Sequence, residues 1–182
     1  MKGRVLVIGL DVSKSASPYL SWQVESTRFL VEKCLTNSED REYSILLYSE
    51  VASPLIEPTT DKSKAEEALS QIELIKGVPE PIWAVKEAVE TIYSYGMGLP
   101  GRSKIILFWS MAKKPRYPVS LIPAMVEAVG AELVIVSLQY APPRWSKTHP
   151  LPQEIRQSIV YRRRLKPADI PKRVGCTSRR SR

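Results

Sequence analysis

The feature that most constrains the fold is a continuous apolar run near the start of the chain, Val5–Leu10, which ends abruptly at Asp11. A strand that is apolar at every position has both faces buried, which is typical of a parallel sheet. Apolar runs also occur at Tyr43–Ser49, Lys104–Ser110 and Leu133–Leu138, with helical segments between them. This alternation predicts an α/β domain, a Rossmann-like three-layer sandwich with helices on both faces of a mostly parallel central sheet.

One strand is expected to run against the others. Val51–Pro58 follows the run Tyr43–Ser49 after a very short connection. A parallel return requires a crossover of about a dozen residues or more, so two such neighbours must be antiparallel. We therefore expect one antiparallel edge strand.

Four segments have the spacing of helices that bury one side, although the last contains Pro123, which we place in its first turn. In the first helix we expect Leu20, Val24 and Leu30 to face the core and Gln23 to face outward, and in the second we expect Ile75 to face inward. The predicted helices are Pro18–Leu35, Lys62–Ile75, Ile82–Tyr95 and Val119–Val129.

The composition indicates an intracellular protein without membrane segments. No apolar run approaches the roughly 20 residues that span a bilayer. Cys34 and Cys176 lie far apart and outside any CxxC pair, so we expect a buried cysteine and a free thiol rather than a disulfide framework. A single asparagine and 15 prolines are typical of a thermophile. The expected location is cytoplasmic.

Positive charge is concentrated at the C-terminal end. The segment 156–182 contains ten of the 27 Lys and Arg residues and one of the 19 acidic residues, whereas the chain as a whole carries +8. We predict a domain at 1–152 and a basic, partly extended or disordered tail at 153–182. Such a tail is either a solvated segment or an arm that binds RNA or DNA phosphates, with Arg162, Arg163, Arg164, Lys166, Lys172, Arg173, Arg179, Arg180 and Arg182 as contacts.

Oxygen-bearing side chains follow the first strand. Asp11, Ser13 and Ser15 alternate along one loop, and Ser110 ends a later strand. Ligands of open α/β sheets bind at the carboxyl ends of the strands, where these side chains fall. One carboxylate and two hydroxyls from a single loop are donors that suit Mg²⁺.

The motif Asp11-Val12-Ser13-Lys14-Ser15 resembles the Asp-x-Ser-x-Ser motif in the metal-ion-dependent adhesion site of von Willebrand factor type A (vWA) domains. The resemblance extends over residues 3–140, because the strands, sharp turn and helices follow in the family's order. It implies a vWA-like fold and a protein-binding role, as in the multiprotein assemblies that contain intracellular vWA domains.

Two further family motifs are altered here. The threonine of the second motif is missing from the loop 77–81, and the fourth strand ends on Ser110 rather than on aspartate. Ser110 or Glu80 could supply a ligand instead. In the alternative interpretation, Ser13 and Ser15 cap the following helix and Asp11 accepts backbone N–H groups. We predict a degenerate site that binds Mg²⁺ weakly or not at all.

The sequence offers no carboxylate pair and no nucleophile with a nearby base, so we expect no enzyme activity. The predicted function is a scaffold module of a multiprotein complex, with a protein partner at the carboxyl-end face of the sheet. The alternative is a nucleic-acid-associated protein that binds RNA or DNA through its basic tail.

Overall fold

The computed structural model describes residues 4–35, 41–95, 103–110, 116–138, 159–161 and 165–173. The strands are β1 (Arg4–Asp11), β2 (Arg41–Tyr48), β3 (Ala52–Thr59), β4 (Ser103–Ser110), β5 (Glu132–Ser137) and β6 (Ile159–Tyr161). The α-helices are α1 (Leu20–Cys34), α2 (Ser63–Leu69), α3 (Pro81–Ser94), α4 (Ile122–Ala128) and α5 (Ile170–Arg173). 3-10 helices at Lys14–Tyr19 and Pro167–Asp169 lead into α1 and α5. None of the described helices is long and apolar enough to cross a membrane.

The described strands form one sheet in the order β3-β2-β1-β4-β5-β6. The apolar strand β1 lies inside the sheet and pairs in parallel with both β2 and β4. β3 lies at the edge and pairs antiparallel with β2, because the connection 49–51 is too short for a crossover. The predicted mostly parallel sheet with one antiparallel edge strand is confirmed.

Alternate residues of β1 enter two separate apolar layers. Leu6, Ile8 and Leu10 pack in a core with residues of α1 and α2, whereas Val5 and Val7 pack in a second core with residues of α3 and α4. All five side chains are fully buried. Helices therefore cover both faces of the sheet, as the predicted three-layer sandwich requires.

Helix α2 ends at Leu69, earlier than the sequence pattern predicts. The following segment runs beside the end of β1 instead, where the Ile75 N–H donates to the Val12 carbonyl at 2.8 Å. The Ile75 carbonyl accepts the Lys14 N–H at 3.1 Å. Because its backbone is held in this bridge, the Ile75 side chain is 48% exposed, and the prediction that it faces the core is wrong.

Described parts of the segment 153–182 belong to the domain. β6 pairs in parallel with β5 and extends the sheet by one strand. Ile170 is buried against α1, and Leu165 packs on the same core. Burial of these apolar side chains stabilises the packing of the segment on the domain. The folded part therefore continues beyond the boundary at residue 152.

Cys34 is fully buried on α1, as expected, but it is disulfide-bonded. The expectation that the chain forms no disulfide is therefore wrong. The chain's other cysteine, Cys176, lies outside the described residues. Disulfides are typical of oxidising compartments and also occur in intracellular proteins of hyperthermophiles, so the cytoplasmic location stays a prediction.

Gly9 is closely packed on the α3 side of β1, with little room for a side chain. A Cβ atom at this position would lie 3.0 Å from the Phe108 Cβ and 3.2 Å from the Leu46 Cδ1. Tyr48 of β2 and Phe108 of β4 pack edge to face, with ring centroids 5.9 Å apart. Because β1 lies between β2 and β4, the two side chains meet across β1.

The Gly9→Ala substitution tests how closely this position is packed. We expect the free energy of unfolding to fall by about 1–3 kcal/mol, because the added methyl group overpacks the contact with Phe108 and Leu46. Urea denaturation of both proteins measures the change. A loss below about 0.5 kcal/mol would show that the neighbouring side chains shift without cost.

Two buried tyrosines of β2 predict a loss of stability at alkaline pH. The Tyr43 hydroxyl donates to the Asp61 carbonyl at 2.6 Å, and burial raises the pKa of Tyr43 to about 12. Burial also raises the pKa of Tyr48 well above its usual value of 10.0. The folded state therefore favours the neutral phenols, which stabilise it fully below pH 10.0 and progressively less as the pH rises towards about 12.

Urea denaturation across this alkaline range measures the effect. We expect Tyr43→Phe to be less stable than the wild type near neutral pH but to lose less stability between pH 10.0 and about 12. An unchanged alkaline slope in the variant would mean that Tyr43 does not contribute to it.

Candidate functional site

The loop after β1 brings together the three side chains predicted from the sequence. Asp11 is fully buried, and its Oδ1 atom accepts the backbone N–H of Ser13 at 2.9 Å. The Ser13 and Ser15 hydroxyls lie 3.0 Å apart and hydrogen-bond to each other. Ser13 precedes the first 3-10 helix, but its side chain does not cap that helix. The carboxylate therefore stabilises the loop, as the alternative interpretation expects for Asp11.

Gln23 of α1 clamps the backbone of Asp11. The Asp11 N–H donates to the Gln23 Oε1 at 2.8 Å, and the Gln23 Nε2 donates to the Asp11 carbonyl at 2.9 Å. Gln23 is fully buried, so the prediction that it faces outward is wrong. Its spacing from Leu30 and Cys34, seven and eleven residues, places all three on one helical stripe and could have revealed it.

Tyr48 adds a hydroxyl that the sequence analysis missed. Tyr48 lies opposite Asp11 in the register of β2 and β1, and its hydroxyl donates to the Trp109 backbone carbonyl of β4. The Ser110 side chain also forms a hydrogen bond with the phenol. No sequence pattern predicts this contact, because Tyr48 ends an apolar strand and resembles an ordinary core residue.

The electrostatics of this cluster keep Tyr48 neutral. Burial is the main cause of its raised pKa, and the negative charge of Asp11 raises the pKa further, while the hydrogen bond from Ser110 opposes both. The Tyr48 phenol therefore stays protonated at physiological pH and acts as a hydrogen-bond donor.

Glu80 serves a different loop. Its carboxylate is buried and accepts the Arg116 N–H, at 2.8 Å to Oε1 and 3.1 Å to Oε2. The Glu80 N–H donates to the Ser49 carbonyl at 2.9 Å. Glu80 thus ties the loop before α4 to the loop after β2.

These donors fit a divalent cation poorly. Mg²⁺ requires close to six oxygen ligands in octahedral geometry. Here the Asp11 carboxylate and the two serine hydroxyls form hydrogen bonds within their own loop. No cluster of three or more His, Cys, Asp or Glu residues that could hold a metal occurs in the described ranges.

The residues predicted to bind nucleic acid are described only in part. Lys166 and Lys172 are exposed beside and on α5. The structure does not describe the side chain of Arg173. The other predicted contacts lie outside the described residues: Arg162, Arg163, Arg164, Arg179, Arg180 and Arg182. Binding of RNA or DNA through this segment stays a prediction.

The sequence matches no protein-family model and no curated protein. The fold, in contrast, matches many solved structures. The SpRpn10 VWA domain aligns with a TM-score of 0.70 at 8% identity, covering 98% of this chain and 99% of that one. An aerotolerance-related membrane protein from Bacteroides fragilis aligns with a TM-score of 0.66 at 17% identity, covering 95% and 97%.

A third similar structure is proximal thread matrix protein 1 from the mussel byssus, in which zinc occupies the metal-ion-dependent adhesion site (MIDAS) motif. It aligns with a TM-score of 0.71 at 11% identity, covering 96% of this chain and 46% of that one. Identities this low establish shape alone. Together with the strand order and the single antiparallel edge, they show that this chain has the fold of a von Willebrand factor type A domain.

Proposed function

We propose that the chain is a non-enzymatic protein-interaction module, the scaffold part of a multiprotein complex, which binds its partner with the face at the carboxyl ends of the strands. The observation that carries this proposal is a group of exposed apolar side chains on the loops of that face. We call these loops, residues 49–51, 75–80 and 116–121, the carboxyl-end face.

Four of the six exposed large hydrophobic residues in the described ranges lie on this face. Single exposed apolar residues are ordinary, but a group on one face is typical of an interaction site. Val51 follows the end of β2, Tyr117 and Leu121 follow the end of β4, and Ile75 lies beside the segment after β1, which is between β2 and β4. The exposed fractions are 69% for Val51, 48% for Ile75, 49% for Tyr117 and 57% for Leu121.

The loops of this face are held to one another. Glu80 connects two of them through the contacts with Ser49 and Arg116, and the Ile75 backbone is bridged to the end of β1. An ion pair of 3.4 Å joins Arg116 to Glu50 across the loops. A surface that is ordered before binding loses less conformational entropy on association, which supports a recognition role.

The charges beside the apolar group favour an acidic partner. Lys14 and Lys76 are exposed and lie next to each other, because the Lys14 N–H bonds to the residue before Lys76. Such cations at the rim of an interface accelerate association with a surface of opposite charge.

The buried carboxylates support a non-enzymatic role. Asp11 and Glu80 accept backbone N–H groups and so stabilise the loops that contain or adjoin the exposed residues. A general base must instead reach a proton of the substrate. We assign both carboxylates to the support of a binding surface.

Charge insertion on the face tests the proposal. The partner is first identified by photo-crosslinking from position 51 in the native cell, and its affinity for the purified chain is then measured by calorimetry. We expect Val51→Asp and Leu121→Asp each to weaken binding about tenfold or more, because a charge enters the apolar centre of the contact.

The matched control is Tyr93→Asp, which changes a side chain that is 83% exposed. Tyr93 lies near the end of α3, at the end of the sheet opposite the carboxyl-end face. This variant should bind the partner like the wild type. Equal loss in all three variants, at unchanged thermal stability, would place the contact elsewhere and contradict the proposal.

A further inference from the structure

The point between the ends of β1 and β4, where the first and third motifs of a vWA-like metal site converge, contains a protein hydroxyl here. We propose that the Tyr48 hydroxyl fills the position in which such a site would hold its divalent cation, so that the site is closed by the chain's own hydrogen bonds.

The placement follows from strand order and register. Three adjacent strands end on Tyr48, Asp11 and Ser110. Asp11 lies opposite Tyr48. Gly9 lies opposite Phe108, and these two residues precede Asp11 and Ser110 by two positions each. Tyr48 and Phe108 both pack in the core on the α3 side of the sheet, and residues two apart on a strand share a face. The three side chains therefore form one polar row across that face.

The Tyr48 ring must cross β1 to reach its hydrogen-bond partner. Tyr48 belongs to β2, whereas the Trp109 carbonyl that accepts its hydroxyl belongs to β4, on the far side of β1. Neighbouring strands lie about 4.8 Å apart, so the side chain and its hydrogen bond together span close to twice that distance. The ring thus passes under the end of β1, beside Asp11.

The hydroxyl at this point supplies a proton where a metal site would supply a cation. It donates to the Trp109 carbonyl and contacts the Ser110 side chain. The negative charge of Asp11 is stabilised without metal, since its carboxylate accepts the Ser13 N–H.

Within the described ranges, the ligand set near this point lacks a second carboxylate. β4 ends on Ser110, and the buried Glu80 carboxylate is bonded to the backbone of Arg116. One carboxylate and neutral hydroxyls bind a hard divalent cation less strongly than a pair of carboxylates does.

The test measures Mn²⁺ and Mg²⁺ binding to the full chain by electron paramagnetic resonance and calorimetry. We expect no binding tighter than about 1 mM in the wild type. Ser110→Asp adds a carboxylate beside Asp11, and Tyr48→Phe removes the hydroxyl while keeping the ring against Phe108. The double variant Tyr48→Phe, Ser110→Asp should bind Mn²⁺ about tenfold or more tightly than Ser110→Asp alone.

Tyr43→Phe is the matched control, since it removes the hydroxyl of the other buried tyrosine of β2, which contacts the Asp61 carbonyl. Combined with Ser110→Asp, it should give no gain in affinity. Wild-type binding tighter than about 1 mM that Asp11→Ala abolishes would overturn the proposal. A double variant that binds no better than Ser110→Asp would also overturn it.

Thermal unfolding of the wild type and Asp11→Ala keeps the proposal testable if the double variant does not fold. Millimolar Mg²⁺ should leave the Tm of both proteins equal to that in EDTA. A Mg²⁺-dependent rise in the Tm of the wild type, absent from Asp11→Ala, would show a resident cation at Asp11 and refute the inference.

Discussion

The packing of Tyr48 against Phe108 across β1 shapes the carboxyl end of the sheet. Between them, Gly9 of β1 packs closely on Phe108 of β4 and Leu46 of β2. The contact between Tyr48 and Phe108 directs the Tyr48 hydroxyl to the backbone carbonyl of Trp109, two strands away. A packing contact inside the core thus leads to a buried polar contact at the carboxyl end of the sheet, the end at which α/β sheets bind their ligands.

Several buried side chains at the same end of the sheet bond to the backbone of neighbouring loops. Gln23 holds both peptide groups of Asp11, and Glu80 holds the N–H of Arg116. Buried polar groups of this kind cost free energy unless they are paired, so each of them fixes the loop that it contacts. The result is an ordered platform beneath the exposed side chains, as Val51 and Leu121 illustrate.

Similarity of fold and similarity of function are separate questions for this chain. Its backbone aligns with the three vWA-like structures over nearly its whole length, although only 8% to 17% of the residues are identical. One of them has a zinc-occupied site. Such a site depends on a few side chains rather than on the backbone, which is why Tyr48 and Ser110 bear more directly on metal binding than the TM-score does.

The sequence by itself determined the layers and strand directions, because an apolar run such as Val5–Leu10 and a short turn such as 49–51 have few physical solutions. It also located Asp11, Ser13 and Ser15 at a strand end. Only the tertiary structure decided which groups meet them. Gln23 and Tyr48 reach Asp11 from α1 and β2, and the bridge to β1 turns Ile75 outward. These contacts depend on the distance and direction between elements far apart in the chain, which local periodicity does not encode.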